Sequence, residues 1–466
     1  MARTFALVTA AVLSLAASAQ QGAENLTKAQ LVVSPAALPT EPLGLRLRCR
    51  VAAQTEGDAA GLYTQATLML EAIPRESMLE LNDLLEASDT SPPNAAARNL
   101  VESFRGAVWP SLRIASTRSG CQWPSTVREE GAAALLPALG KFRVIARLLS
   151  LQTRVQIADG KLEEAMDTIR VTLDLGRRLG EGPTLIHALV GVAVCSVALE
   201  RTQDFIQAPG APNLFWALSE LPQPLIDLAD PIRGELALVE YSVPDLGRFE
   251  RGELGDGDAP SIIRQLKIMS NRFGLPGPTE DRGGLATALA TAAAFPHARD
   301  VLLAAGRTPE EIDAMPASAA VLRAQLVEWR RASDMQLVWA SRPMHEALTG
   351  LIDLDAKVSA GAKTSGTNPL LMSMPSTVHA FRAGVTLQRR VELLRTLEAI
   401  RLHAATHGSL PASLDQLQDV PVPRDPLTLG AFSYKAEGGS AVVRTVSPTI
   451  PETLRRDIEL RITLRK

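Results

Sequence analysis

Aromatic side chains make up only 4% of the 466 residues: ten Phe, five Trp and three Tyr. Sheets draw on aromatic and β-branched residues, so this scarcity against a background of Ala and Leu favours helix. Cysteine is also rare. Cys49, Cys121 and Cys195 cannot all pair within one chain, and no CxxC occurs, which excludes a disulfide framework, a thioredoxin-type motif and a zinc ribbon. Cys49 and Cys121 are the one plausible pair, while Cys195 sits in the apolar run HALVGVAVCSVALE and reads as a small hydrophobe in a helix. An excess of one charge is missing too. Forty-eight Lys and Arg stand against 51 Asp and Glu, a net charge of −3 without basic runs, so no nucleic-acid partner is expected. Nucleophile elbows, Walker A loops and glycine fingerprints after a strand are absent.

What is present is a globular composition, 46% hydrophobic and 21% charged, on a chain long enough for two or three folding units. Residues 1–19 read as a signal peptide: Arg3 is the positive end, Phe5 to Leu15 the apolar stretch, and Ala17-Ser18-Ala19 the cleavage site. The mature chain then begins at Gln20 and is expected outside the cytoplasm, periplasmic or extracellular. No later segment reads as a membrane span; Ala188–Leu199 comes closest and reads as a buried core helix.

Residues 20–57 mix Pro and Gly without a period and read as a partly ordered leader. Residues 58–357 read as an α-helical domain. Its clearest block holds three helices, Glu129–Asp159, Leu162–Leu179 and Pro183–Phe205, parted by Gly160 and Gly182-Pro183. Thr308-Pro309-Glu310-Glu311 is a capped helix start, and Ser318–Lys357 reads as a long helix broken at Pro343. VSAGAKTSGTNP supplies a linker at 358–367. Residues 368–466 read as a long helix to Thr406, followed by strands at Phe432–Lys435, Ala441–Thr445 and Asp457–Leu464, with Gly438-Gly439 as a hairpin turn. The fold class is therefore mostly α: a helical-hairpin, solenoid-like domain, then a long helix and a small α+β subdomain.

Two resemblances follow. ADGKLEEAMDTI, through Gly160, Leu162, Ala165 and Ile169, resembles the second half of a tetratricopeptide hairpin, although Thr153 and Gln156 stand where glycine and an aromatic belong. No second copy occurs at a 34-residue period, so a repeat array is not implied. The tail resembles the globular end of type II secretion pseudopilins, through Gly408, Leu410, Pro411, Ser413, Leu414, Asp425, Pro426, Phe432 and Tyr434. That resemblance implies a packed helix-plus-hairpin unit. It also places Asp425 where some pseudopilins bind calcium, but one carboxylate falls far short of six to eight oxygens. The family's assembly helix is N-terminal after a peptidase site; here GVTLQ is internal and followed by Arg389-Arg390. The whole chain also resembles exported bacterial proteins without assigned function.

Titratable residues offer few constellations. His403 and His407 have zinc-binding spacing, but Ala404 replaces the glutamate of the protease motif, so they read as the end of a helix. His187 reads as a core histidine; His297, His345 and His379 are scattered. Glu163-Glu164, Asp174 and Glu181 share one hairpin and read as a solvated face. Arg424-Asp425 reads as a local ion pair or Asx turn. Accordingly no catalytic, cofactor-binding or metal residue is assigned, and no cofactor. The expectation is an exported scaffold of the bacterial envelope that binds another protein or an envelope component. An envelope hydrolase with a dispersed site, and a component of a secretion assembly, are the alternatives.

Overall fold

Helices dominate because Ala- and Leu-rich segments alternate with glycine and proline stops. The computed structural model describes residues 26–124, 127–130, 138–272, 283–364, 368–375 and 377–465. The expected signal peptide lies outside the described residues. Helices of ten residues or more are α1 Ala60–Met69, α2 Leu81–Thr90, α3 Ala95–Ala107, α4 Ala138–Ala158, α5 Leu162–Gly180, α6 Leu185–Gln207, α7 Ala229–Ser242, α8 Ala259–Arg272, α9 Gly283–Ala304, α10 Ala317–Ala340, α11 Met344–Thr364 and α12 Thr377–His407. The strands are β1 Leu26–Val33, β2 Thr55–Asp58, β3 Arg118–Gly120, β4 Ser433–Glu437, β5 Ser440–Arg444 and β6 Asp457–Leu464. The fold is mostly α with a small sheet, as the composition implies.

The chain divides into two compact units. One comprises Glu24–Pro124, Leu136–Pro231 and Arg382–Lys466; the other is carried by Ile232–Phe381. In the first, α4, α5 and α6 pack on one another, and α1 to α3 cover α4. Tyr63, Phe104, Leu112, Phe142, Leu149 and Leu175 form its core, each at most 1% exposed. The α5–α6 contact brings backbone against backbone. A Cβ on Gly191 would lie 2.5 Å from the Gly176 carbonyl oxygen, and one on Gly176 2.5 Å from Cys195 Sγ. The α4–α5 turn is closed by Gly160 at φ 70°, a conformation suited to glycine. Gln156 differs from the tetratricopeptide pattern because it is buried and accepts from Thr168 Oγ1 at 2.9 Å, while Gln152 Nε2 donates to the same hydroxyl. α6 is long and apolar enough to cross a membrane by length and composition, and most of its apolar stretch is buried against its neighbours.

The larger sheet of this unit has the order β1-β6-β5-β4, and β2 and β3 pair separately. β6–β5 and β5–β4 are antiparallel, with Gly438 at φ 64° in the hairpin turn. β1 pairs parallel to β6, with Leu26 opposite Asp457 and Val33 opposite Leu464. This corrects the reading of residues 20–57 as a leader. LTKAQLVV buries only Leu31 and Val33, and its partner lies at the other end of the sequence, so neither composition nor a nearby hairpin announces it. The linker expected at 358–367 is also corrected: α11 runs on to Thr364. The long helix expected from Asn368 is interrupted. Asn368 caps Pro369–Met372, that turn ends at Ser373, and α12 starts afresh at Thr377 beyond Pro375.

α12 carries the anticipated stripe, and Leu387, Val391, Leu394, Leu397 and Ile400 are all buried. Burial extends round the helix to Arg389, Glu392, Glu398 and Arg401. Each such charge needs a partner, because an unpaired buried ion costs several kcal/mol. Arg401 Nη1 donates to both carboxylate oxygens of Glu398 at 2.9 Å, and the guanidinium also donates to the Ser34 and Ala211 carbonyls. Asn213 Nδ2 joins this node, donating to the Ala36 and Glu398 carbonyls. The segment after β1 is thereby fastened to the helix.

In the second unit, α9, α10 and α11 pack in sequence, and Pro369–Met372 lies on α10. Trp329, Leu322, Leu266, Phe249, Val243 and Leu370 form its main core. Thr308 forms the expected capping box with Glu311, and α10 ends at Ala340 just before Pro343.

Candidate functional site

The C-terminal half of α5 gathers a dense set of titratable groups. Asp174, Arg177, Arg178 and Glu181 recur at threes and fours on one helical face, with the cations in the last turn where the helix dipole favours them. Tyr63 Oη, from α1, donates to Asp174 Oδ2 at 2.8 Å. Burial raises the Asp174 carboxyl above the usual carboxylate range, opposed by Arg178, Tyr63 and Arg177. Burial likewise raises the Tyr63 phenol, reinforced by Asp174. Trp123 stacks on Tyr63 with ring centroids 6.0 Å apart, and its Nε1 donates to the Arg178 carbonyl at 2.6 Å. Arg178 Nη2 donates to the Arg118 carbonyl at 3.0 Å, tying β3 to α5. Burial pushes the thiol of Cys121, beside this cluster, up to about 12. Cys49, Cys121 and Cys195 are all free.

Beyond Arg177 and Glu181 the same end of α5 opens into a cleft of about 240 Å³. Its floor is Leu225 and Ile226, both buried, with Gly180 behind them; a Cβ there would meet Ile226 Cγ2 at 2.8 Å. Pro222, Pro224 and Pro231 form the walls, and Glu181, Asp227 and Asp230 lie exposed on the rim. The wall is anchored from below: Gln388 Oε1 accepts from Leu225 N at 2.9 Å, and Gln223 Nε2 donates to Glu392 Oε1 at 3.1 Å. Arg177 Nη1 lies 3.6 Å from Asp174 Oδ1, and its Nη2 lies 3.9 Å from Glu181 Oε1, so one cation joins the buried cluster to the rim.

Of the carboxylates read from the sequence as a solvated face, Asp174 is mostly buried and shares Arg177 and Arg178 with Glu181, whereas Glu163 and Glu164 lie at the other end of α5. Glu164 pairs with Arg105 at 2.8 Å near the start of α5, Asp174 binds Tyr63, and Glu181 lies on the cleft. The His403 and His407 rings stack at 4.1 Å, and His407 Nδ1 lies 3.2 Å from the His403 carbonyl. Among the described residues no group of three or more His, Cys, Asp or Glu could hold a metal. His187 Nδ1 lies 2.9 Å from Thr184 Oγ1, and burial lowers its pKa to about 4, so the ring is neutral.

Asp425 departs from the local pairing anticipated. Arg424 is exposed, whereas Asp425 is 1% exposed and is gripped by Arg389, with Nε 3.0 Å from Oδ1 and Nη2 2.6 Å from Oδ2. Arg389 Nη1 also donates to Ser447 at 2.8 Å and lies 3.4 Å from Asp457. The Asx turn is present, since Leu427 N donates to Asp425 Oδ1 at 2.9 Å. Both carboxylate oxygens are thus engaged in holding the proline-rich loop to α12, leaving none to lead a calcium shell.

One arrangement escapes sequence inspection. His297 Nε2 lies 2.8 Å from Glu328 Oε1, and Asn368 Nδ2 donates to Glu328 Oε2 at 3.0 Å. The imidazole is 40% exposed and the carboxylate 20%, so a solvent-facing histidine is backed by an oriented acid. The three residues come from α9, α10 and the segment after α11, and no spacing could reveal them. His345 Nε2 lies 3.6 Å from Glu346 Oε1.

No protein-family model, no curated protein and no solved structure matches this chain.

Proposed function

We propose that the chain is an exported helical binding protein of the bacterial cell envelope, and that the cleft at the end of α5 seats a side chain of a protein partner. The cleft carries this reading. About 240 Å³ is below the range of roughly 300–1,000 Å³ usual for metabolite and cofactor sites, and suits one or two side chains instead. Its aliphatic and proline lining, with charge confined to the rim, has the anatomy of an interface pocket. The rim holds one Arg against Glu181, Asp227 and Asp230, so a partner presenting a basic group beside an apolar one would be complementary. Export rests on the Arg3, Phe5–Leu15 and Ala17-Ser18-Ala19 pattern, and mass spectrometry of the exported form should find Gln20 as its first residue.

The test is recovery of cross-linked partner from envelope preparations by the wild-type chain and by the Asp227→Lys, Asp230→Lys double variant. Both positions are exposed, so the fold should tolerate them. Loss of one defined partner with an unchanged melt supports the cleft; equal recovery contradicts it. The hydrolase alternative keeps one specific observation in its favour, the His297–Glu328–Asn368 arrangement, which has the orientation of a general-base dyad. The assembly alternative would use an exposed stripe on α12, and that stripe lies in the core.

A further inference from the structure

Three buried polar atoms in the Ile232–Phe381 unit share one face of α10 and have no hydrogen-bond partner among the described residues: Trp329 Nε1, Ser333 Oγ and Gln336 Oε1. Positions 329, 333 and 336 fall four and three residues apart, one above another along the helix. Their residues are 1%, 5% and 6% exposed, so bulk water does not serve them. A buried polar atom left unpaired costs about 1–3 kcal/mol, and more than 90% of such groups are satisfied in folded proteins. Three in a row therefore point to a common occupant.

The segment 368–375 lies along this stretch as a strap tied at both ends. At one end Asn368 Nδ2 donates to the Gln325 carbonyl at 3.1 Å and to Glu328 at 3.0 Å. At the other, Gln336 Nε2 donates to the Pro375 carbonyl at 3.3 Å. Between the ties Leu370 and Leu371 share a core with Trp329. Trp329 and Ser333 fall between the same two ties along α10, and the third unpaired atom belongs to Gln336, the second tie itself.

Their chemistry restricts the occupant. An indole N–H only donates, an amide oxygen only accepts, and a hydroxyl does either. An anion would leave the Gln336 oxygen unmatched, and a cation would leave the Trp329 N–H unmatched. We propose that α10 and the 368–375 strap enclose a binding site for small neutral molecules that both accept and donate a hydrogen bond: water, or an organic solute such as a primary amide. The occupant accepts from Trp329, exchanges with Ser333 and donates to Gln336. Seven residues of helix span roughly 10 Å, the length of a short file of such molecules.

The test uses the full chain with labelled indole nitrogens, the Trp329 signal being assigned by its loss in Trp329→Phe. A water-selective Overhauser experiment should show a bound-water cross-peak at that N–H. Ser333→Ala should then lower the urea midpoint, because a satisfied hydroxyl is lost. A missing cross-peak together with a saturable shift of the Trp329 signal by acetamide would assign the site to an organic solute. With neither cross-peak nor shift, and with Ser333→Ala raising the midpoint, the three atoms are dry and the site does not exist.

Discussion

Replacing Gly191 by alanine probes the contact on which the first unit is built. The new Cβ would lie 2.5 Å from the Gly176 oxygen, 2.7 Å from the Gly180 nitrogen and 3.0 Å from the Gly180 Cα. All three are backbone atoms, so no rotamer change relieves the overlap. Ordinary contact begins near 3.4 Å, so α5 and α6 must part by close to an ångström. A gap of that size forfeits about a quarter to a half of each dispersion contact along the seam. Overpacking of this kind costs about 1–3 kcal/mol, and a seam of backbone places it at the upper end. Alanine returns about 1 kcal/mol through helix propensity. The net loss is therefore about 2 kcal/mol. Gly61, in α1 of the same unit, is the control: nothing lies within 4 Å of its Cβ position, and Gly61→Ala should gain about 0.5–1 kcal/mol. Urea melts of the two variants should differ by about 3 kcal/mol with opposite signs. A Gly191→Ala midpoint equal to or above that of Gly61→Ala would refute the packing argument.

Two further perturbations test the buried charges of α12. Burial raises Glu398 to about 7 in the folded chain, above the 4.5 of a free glutamate, with Arg401 opposing the rise. Its contribution to stability is thus full below pH 4.5 and is lost as pH rises through 7. The wild type should lose about 3 kcal/mol more than Glu398→Gln across that window, read as the difference between their melts. The difference is needed because His187, lowered to about 4, acts in the opposite sense over an overlapping range. Parallel pH profiles for the two proteins would sink the assignment. Asp425→Asn removes the charge facing Arg389 at 2% exposure and should cost about 3–5 kcal/mol while sparing partner recovery. A melt within 0.5 kcal/mol of wild type would mean that the Arg389 fork does not hold the loop.

Local signals carried the helical part of the fold into view. The last two helices of the α4–α6 block, the Thr308 cap, the break before Pro343 and the Gly438 turn all rest on residues adjacent in sequence, and each stands close to where those residues place it, whereas the first helix of the block, expected from Glu129, is described only from Ala138. β1 was illegible because its pairing energy comes from β6, at the far end of the chain. The charges of α12 were illegible for another reason. No sequence signal marks Arg389, Glu398 and Arg401 as buried, and only the loops that meet them explain their burial. The same holds for the candidate site. Glu181 was visible as a charge of the helical hairpin, but the cleft needs Arg177, Leu225 and Ile226, the last two held in place by Gln388 and Glu392 from another part of the sequence.

The most direct test of the binding reading is position-specific photo-cross-linking in living cells. A cross-linking side chain at Asp227, on the cleft rim, is compared with one at Leu289, an exposed position on α9 in the other unit. A discrete adduct at Asp227, absent at Leu289 and suppressed by charge reversal at Asp230, is the predicted result. Adducts of equal yield at both positions, or none at Asp227 in a correctly folded and exported chain, would contradict the assignment of the cleft as the docking site.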